Sequence, residues 1–172
     1  YVANKPDSHD ICFIPSGNNA GWLRDRLGSE TGPIVDEEGN TVGSHQGAYT
    51  YTIGQRRGLN LSIPAADGNP RYVLKIEPKS NTVVVGPKEE LAVTKIFGEK
   101  PVWCSDNPGS EWRVGFVQVR AHGAALDCKY RETDGGVEIE LEKPLLGLAT
   151  GQAAVIYDGD RVIGSSTVRE TE

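Results

Sequence analysis

Ala153-Ala154-Val155-Ile156-Tyr157-Asp158-Gly159-Asp160-Arg161-Val162-Ile163-Gly164 reads as strand, turn, strand. Its flanks are rich in Val, Ile and Tyr, side chains that fit a pleated, half-buried surface, and Asp158-Gly159 supplies the backbone freedom of a tight hairpin. Working upstream, the same texture recurs at Val93 to Phe97, Trp112 to Val119, Leu126 to Tyr130 and Val137 to Leu141. With Ala153 to Tyr157 and Arg161 to Val168 these predict six antiparallel strands in about 85 residues. A sheet of that size leaves no exposed edge if it closes, so the expectation is a small six-stranded β-barrel over residues 88–172.

Before it, Gly86-Pro87 followed by Lys88-Glu89-Glu90 reads as a linker. Residues 15–87 are expected to form a second, small β-rich unit with one short helix, and residues 1–14 a leader. Ser16-Gly17-Asn18 offers a capping group before a helix over Ala20 to Leu27, with Trp22, Leu23 and Leu27 sharing a face and Gly28 closing it. Two hairpins follow from turn chemistry, one around Glu38-Gly39-Asn40 and one around Pro78-Lys79-Ser80-Asn81, the latter joining Arg71 to Glu77 with Thr82 to Val85. The fold class is therefore mainly β.

Composition bounds what such a chain does. Its 172 residues carry a formal charge of −6; residues 1–87 hold 8 Lys and Arg against 9 Asp and Glu, and the remainder 10 against 15. Neither half is a basic domain that would bind phosphate backbones by bulk attraction, so any nucleic-acid contact has to be local. The stretch with least acid is Arg56-Arg57, with Arg71 and Lys75 as neighbours to test; a solvated turn is the plain alternative. Cys12, Cys104 and Cys128 are widely separated and form no C-x-x-C pair, which supports neither a disulfide framework nor a zinc site and fits a reducing cytoplasm. His9, His45 and His122 lack metal-ligand spacing, and a histidine beside Gly or Ser is expected in a loop. No apolar run reaches bilayer length, so no membrane role is expected.

Two segments carry candidate chemistry. Cys12 lies in Lys5-Pro6-Asp7-Ser8-His9-Asp10-Ile11-Cys12-Phe13-Ile14, where His9 and Lys5 could favour a thiolate, although Ile-Cys-Phe-Ile is also the pattern of a buried strand with an inert thiol. Thr52-Ile53-Gly54-Gln55-Arg56-Arg57-Gly58 brackets two arginines with glycines, but it has neither Walker nor dinucleotide spacing, and no ATP site is legible.

Taken together with Gly32-Pro33-Ile34-Val35-Asp36, Gly43-Ser44-His45-Gln46-Gly47, Arg71-Tyr72-Val73 and Gly151-Gln152-Ala153-Ala154-Val155-Ile156-Tyr157, these segments resemble the tRNA-specific 2-thiouridylases in order and spacing along nearly the whole chain. The resemblance implies the central and C-terminal portion of such an enzyme, inert by itself. It implies that Cys12 carries sulfur as a persulfide, with a partner cysteine, ATP and Mg²⁺ held by an N-terminal nucleotide-binding domain to which nothing here corresponds. No cofactor is expected in this chain. The implied partners are tRNA, a sulfur-donor or relay protein, and that N-terminal domain.

The resemblance also assigns tRNA contacts to Arg120 and Ala121, in a stretch reading Arg120-Ala121-His122 where the family has R-Y-R, and to Gln152, which follows Thr150-Gly151 where the family has P-G. Loss of the family's aromatic residue removes a stacking surface worth about 1–3 kcal/mol per base. Arg56 and Arg57 are expected on the substrate or interdomain surface. A non-catalytic RNA-binding β module is the competing expectation.

Overall fold

A computed structural model of the protein describes residues 18–104, 107–121 and 123–172. The leader with Lys5, His9, Asp10 and Cys12 lies outside the described residues, as does His122.

Helix α1 (Asn19–Leu27) begins as the sequence predicts, with the Asn18 side chain accepting a hydrogen bond from the Gly21 N–H at 2.9 Å. It does not bury the expected face. Leu27 is 63% exposed, and Trp22 and Leu23 are only half-buried. The helix is held instead from its C-terminal side: the Tyr49 hydroxyl donates to the Gly28 carbonyl, and Ser29 Oγ donates to Gln46 Oε1 at 3.1 Å.

Strands β1 (Gly32–Val35), β2 (Thr41–His45), β3 (Tyr72–Glu77) and β4 (Thr82–Gly86) form one sheet in the order β2-β1-β4-β3. Both expected hairpins are present, and β1 joins them by running parallel to β4, with Ile34 opposite Val83. Turn chemistry specifies hairpins but says nothing of how two hairpins meet, so this pairing was not legible in the sequence. Ile34, Val73, Val83, Val85 and Ala48 make the buried core, which Tyr51, Ile53, Leu59 and Leu61 cover.

That cover also supplies hydrogen bonds to the sheet's two edges. The Gly54 N–H donates to the Val73 carbonyl at 2.8 Å and the Val73 N–H to the Gln55 carbonyl at 2.9 Å, while the Ser62 N–H donates to Val42 at 2.8 Å. One irregular segment thus pairs with β3 and with β2, satisfying groups that an open sheet would leave to water.

His45 ends β2 and corrects the expectation of a loop histidine: it is 4% exposed, and its Nδ1 accepts from the Gly47 N–H at 3.0 Å. An imidazole that accepts at Nδ1 is neutral, and burial accordingly pushes the His45 pKa below its ordinary value.

Strands β5 (Ala92–Trp103), β6 (Arg113–Gln118), β7 (Leu126–Thr133), β8 (Gly136–Leu146), β9 (Ala153–Asp158) and β10 (Arg161–Thr171) close into an antiparallel barrel in the order β10-β5-β8-β7-β6-β9. All six expected strands are found. β5 runs past the Val93 to Phe97 expected from sequence and carries Gly98 and Lys100-Pro101 within it: a side chain on Gly98 would meet Ser166 Oγ at 2.1 Å, so only glycine lets β5 and β10 approach. The interior is filled by Ile96, Val117, Tyr130, Val137, Ile139, Ile156 and Val168 among others. Burying each such side chain contributes about 1.5–3 kcal/mol. The interior is packed with side chains, so any ligand of this barrel binds on its outer surface or rim.

Candidate nucleic-acid interface

The pairing of β6 with β9 decides which loops meet. Gln118 lies opposite Val155, so Val119 to Ala121, which leave β6, emerge beside Gln152 and Ala153, which enter β9. Residues more than thirty positions apart therefore line one open pocket of about 560 Å³, with Gln118, Val155 and Tyr157 completing its wall. Of the site residues expected from sequence, Arg120, Ala121 and Gln152 are brought together here.

Gln118 and Tyr157 were not singled out by the sequence reading, and they shape the pocket. Gln118 Nε2 donates to the carbonyls of Ala121 (3.3 Å) and Gly123 (2.9 Å), and its Oε1 accepts from the Tyr157 hydroxyl at 3.3 Å. The amide pins the loop that carries Arg120, so the loop's shape is set by a strand residue. The signal available was the alternation of β9, which puts Tyr157 on the same outward face as Ala153 and Val155. Gln152 Oε1 is buried without a hydrogen-bond partner among the described residues. An acceptor so placed is costly unless something donates to it.

Arg120 is the pocket's one charged lining residue. Its Nη2 donates to two backbone carbonyls, Leu146 at 3.1 Å and Gly147 at 2.9 Å. Gly147 has φ +72° and holds the Leu91 carbonyl through its N–H at 3.0 Å. Against it lies Gly54, φ +82°, where an added methyl would stand 3.8 Å from the Gly147 Cα. Both glycines adopt a left-handed backbone that other residues reach only at a cost.

Gly54 opens the turn that presents Arg56 and Arg57. The Thr52 N–H donates to Gln55 Oε1 at 3.1 Å, and Gln55 Nε2 donates to the Arg57 carbonyl at 2.9 Å, so one glutamine spans the loop. Both arginines are exposed and form no ion pair with a described residue. Arg71 and Lys75, the neighbours considered from sequence, carry partnered charges: Arg71 pairs with Asp67 at 3.1 Å and Lys75 with Glu77 at 2.7 Å. Consistently, hydrogen bonds from Asn69 and Arg71 hold the Asp67 carboxyl below the usual range, and the Lys75 ammonium does the same for Glu77.

Among the described residues no cluster of three or more His, Cys, Asp or Glu could hold a metal ion, and no helix is long and apolar enough to cross a membrane. Cys104 is exposed and Cys128 buried, and both are free thiols.

A family model described as "tRNA methyl transferase PRC-barrel domain" matches residues 20–87, and one described as "Aminomethyltransferase beta-barrel domain" matches residues 93–168. Curated relatives include the tRNA-specific 2-thiouridylase MnmA of Thermobifida fusca, 59% identical over 99% of this chain, and those of Cutibacterium acnes and Beutenbergia cavernae, 56% and 53% identical over the same share. The chain spans about half the length of these relatives, 46% in each case. On this identity along its whole length, the chain belongs to the tRNA-specific 2-thiouridylase family.

Proposed function

We propose that this chain supplies the tRNA-gripping and sulfur-carrying part of an enzyme that replaces the 2-oxo oxygen of the tRNA wobble uridine with sulfur. The observation that carries the tRNA half of this reading is the pocket on the barrel rim. Two sequence-distant stretches that the family resemblance marks for tRNA contact, Arg120-Ala121 and Gln152, line the same cavity beside a half-buried tyrosine. An amide whose acceptor has no partner among the described residues and an aromatic ring are groups that bases engage, and Arg120 borders both.

The sulfur half rests on Cys12 in its motif. In this reading a sulfane-sulfur donor loads Cys12 as a persulfide. The terminal sulfur attacks C2 of a uridine whose 2-oxygen has been activated by ATP; the C2–S bond forms, the C2–O bond breaks, and AMP leaves with the electron pair. A second thiol then attacks Cys12 Sγ, closing a disulfide with it and releasing the 2-thiouridine sulfur, and an external reductant reopens that disulfide. In this reading the nucleotide, its metal and the second thiol belong to the portion of the relatives with which this chain does not align.

Cys12→Ser in the intact protein, assayed with ATP, Mg²⁺, a sulfane donor and tRNA, is expected to lower 2-thiouridine formation by at least about 1,000-fold while leaving tRNA affinity unchanged. Normal thiolation by that variant refutes the sulfur-carrier role. Loss of nothing but RNA binding on changing Gln152, with thiolation absent even in the unsubstituted protein, would favour a non-catalytic RNA-binding module.

A further inference from the structure

Arg120 is the pocket residue most readily cast as a phosphate contact, yet part of its guanidinium is already engaged. Nη2 bridges the Leu146 and Gly147 carbonyls, at 3.1 and 2.9 Å, at the point where β8 runs out of the barrel. Gly147 is one point where the barrel meets the neighbouring unit: its N–H reaches the Leu91 carbonyl in the connecting turn at 3.0 Å, and a side chain added to it would stand 3.7 Å from the Gly54 Cα. Gly54 in turn is fixed to β3 through the Val73 carbonyl at 2.8 Å, and two and three positions further on stand Arg56 and Arg57. An unbroken run of contacts, Arg120 to Gly147 to Gly54, therefore joins the rim pocket to the exposed arginine pair.

From this geometry we infer that Arg120 is a positioning residue: it ties the barrel to the arginine-bearing turn of the central unit, so that the rim pocket and Arg56-Arg57 meet one polyanion in a fixed frame. The physical requirement is specific. One nitrogen of a rigid, planar group donates to two adjacent carbonyls, which a lysine ammonium on a flexible stem holds far less firmly. Both glycines at the contact have left-handed backbones, and a side chain on Gly147 would stand 3.7 Å from Arg120 Nη2 and from the Gly54 Cα. The approach of the two units is thus set by backbone on each side, and Arg120 fixes the barrel side of it by holding the Leu146 and Gly147 carbonyls. The benefit is that of linked binding: two weak contacts held in register act at a high effective concentration toward one ligand, without any new contact.

The inference deepens the tRNA reading and rests on it for its RNA arm, but its first test needs no RNA. Hydrogen exchange on the full chain is expected to rise about 10-fold or more at the Gly147 and Gly54 amides in both Arg120→Ala and Arg120→Lys, while core amides such as Ile139 and Ile156 keep their protection. Unchanged exchange at Gly147 and Gly54 overturns the tie, whatever RNA does. If Arg120→Ala unfolds the chain, Arg120→Lys carries the test.

The second test is tRNA binding as a function of salt. A positioning role predicts that both variants weaken binding with an unaltered salt slope, because no phosphate contact has been removed. A plain phosphate contact predicts that lysine restores affinity and that alanine lowers the slope by about 0.9; that result overturns the inference. Should the unsubstituted chain and the intact protein bind no tRNA, the RNA reading fails, and the exchange result alone decides the tie.

Discussion

In the barrel every strand has two hydrogen-bonded neighbours, whereas in the central sheet β2 and β3 have one each and borrow the rest from the segment between them. The barrel ends its edges by closure, and its core draws on all six strands. The sheet ends its edges with a loop, and that loop also presents Arg56 and Arg57. Stability and surface function are therefore separable in the barrel, where the rim can vary over an unchanged interior, and coupled in the sheet, where loosening the arginine turn also uncovers β3.

The comparison breaks most visibly through the barrel interior. Ile139 is fully buried, and Ile139→Ala is expected to cost about 2–5 kcal/mol, read from urea unfolding. Its exchange signature should fall on barrel amides, with Val83 in the sheet keeping its protection. Equal loss at Val83 would mean that the two units unfold as one.

Acid should act the other way round. His45 is buried in the sheet with its pKa pushed below the ordinary 6.5, chiefly by burial. The unfolded chain therefore takes up a proton that the folded sheet refuses, so the contribution is complete above pH 6.5 and falls as pH drops below it, by up to about 1.4 kcal/mol per unit, until the lowered value is reached. Protonation also removes the acceptor for the Gly47 N–H. The protection factor at Val83, with exchange corrected for the intrinsic pH dependence of amide exchange, should fall between neutral and mildly acid pH while that at Ile156 holds, and His45→Gln should flatten the dependence. A sheet whose protection ignores pH would exclude this account.

The smallest effect is expected on the barrel surface. Arg131 donates to Glu138 Oε2 through Nε (2.8 Å) and Nη2 (2.6 Å) and lies 4.5 Å from the Trp112 ring centroid. Arg131→Ala should cost about 1 kcal/mol or less by thermal melt. A larger loss would show that the barrel wall, like the sheet, depends on what covers it.

How much of this was legible in the sequence follows the same division. The hairpin at Asp158-Gly159 and the alternation along β9 carry their structure locally, and the six strands follow from such local signals. Edge capping does not, because Gly54 and Ser62 reach strands through backbone groups that every residue possesses. Leu27 misled because helical spacing reports a face without reporting whether anything packs on it. His45 misled because glycine and serine neighbours suggest a turn, whereas the chain is still in β2 there. At the site, Arg120 and Gln152 were found through family resemblance; only the register of β6 on β9 makes them neighbours, and no local rule in either stretch encodes that register. Gln118 was missed because a pinning amide has the same sequence appearance as any polar strand end.

The two free thiols of the barrel bear on how sulfur loading can be followed at all. Burial, reinforced by Asp127, pushes Cys128 up to about 12, so it stays protonated and silent toward alkylating reagents, while Cys104 stands exposed. A maleimide or persulfide-trapping reagent applied to the folded chain will therefore report Cys104 alongside any signal from Cys12. Cys104→Ser removes that background, and in a Cys12→Ser background Cys104 becomes a single attachment point for a dye on the barrel.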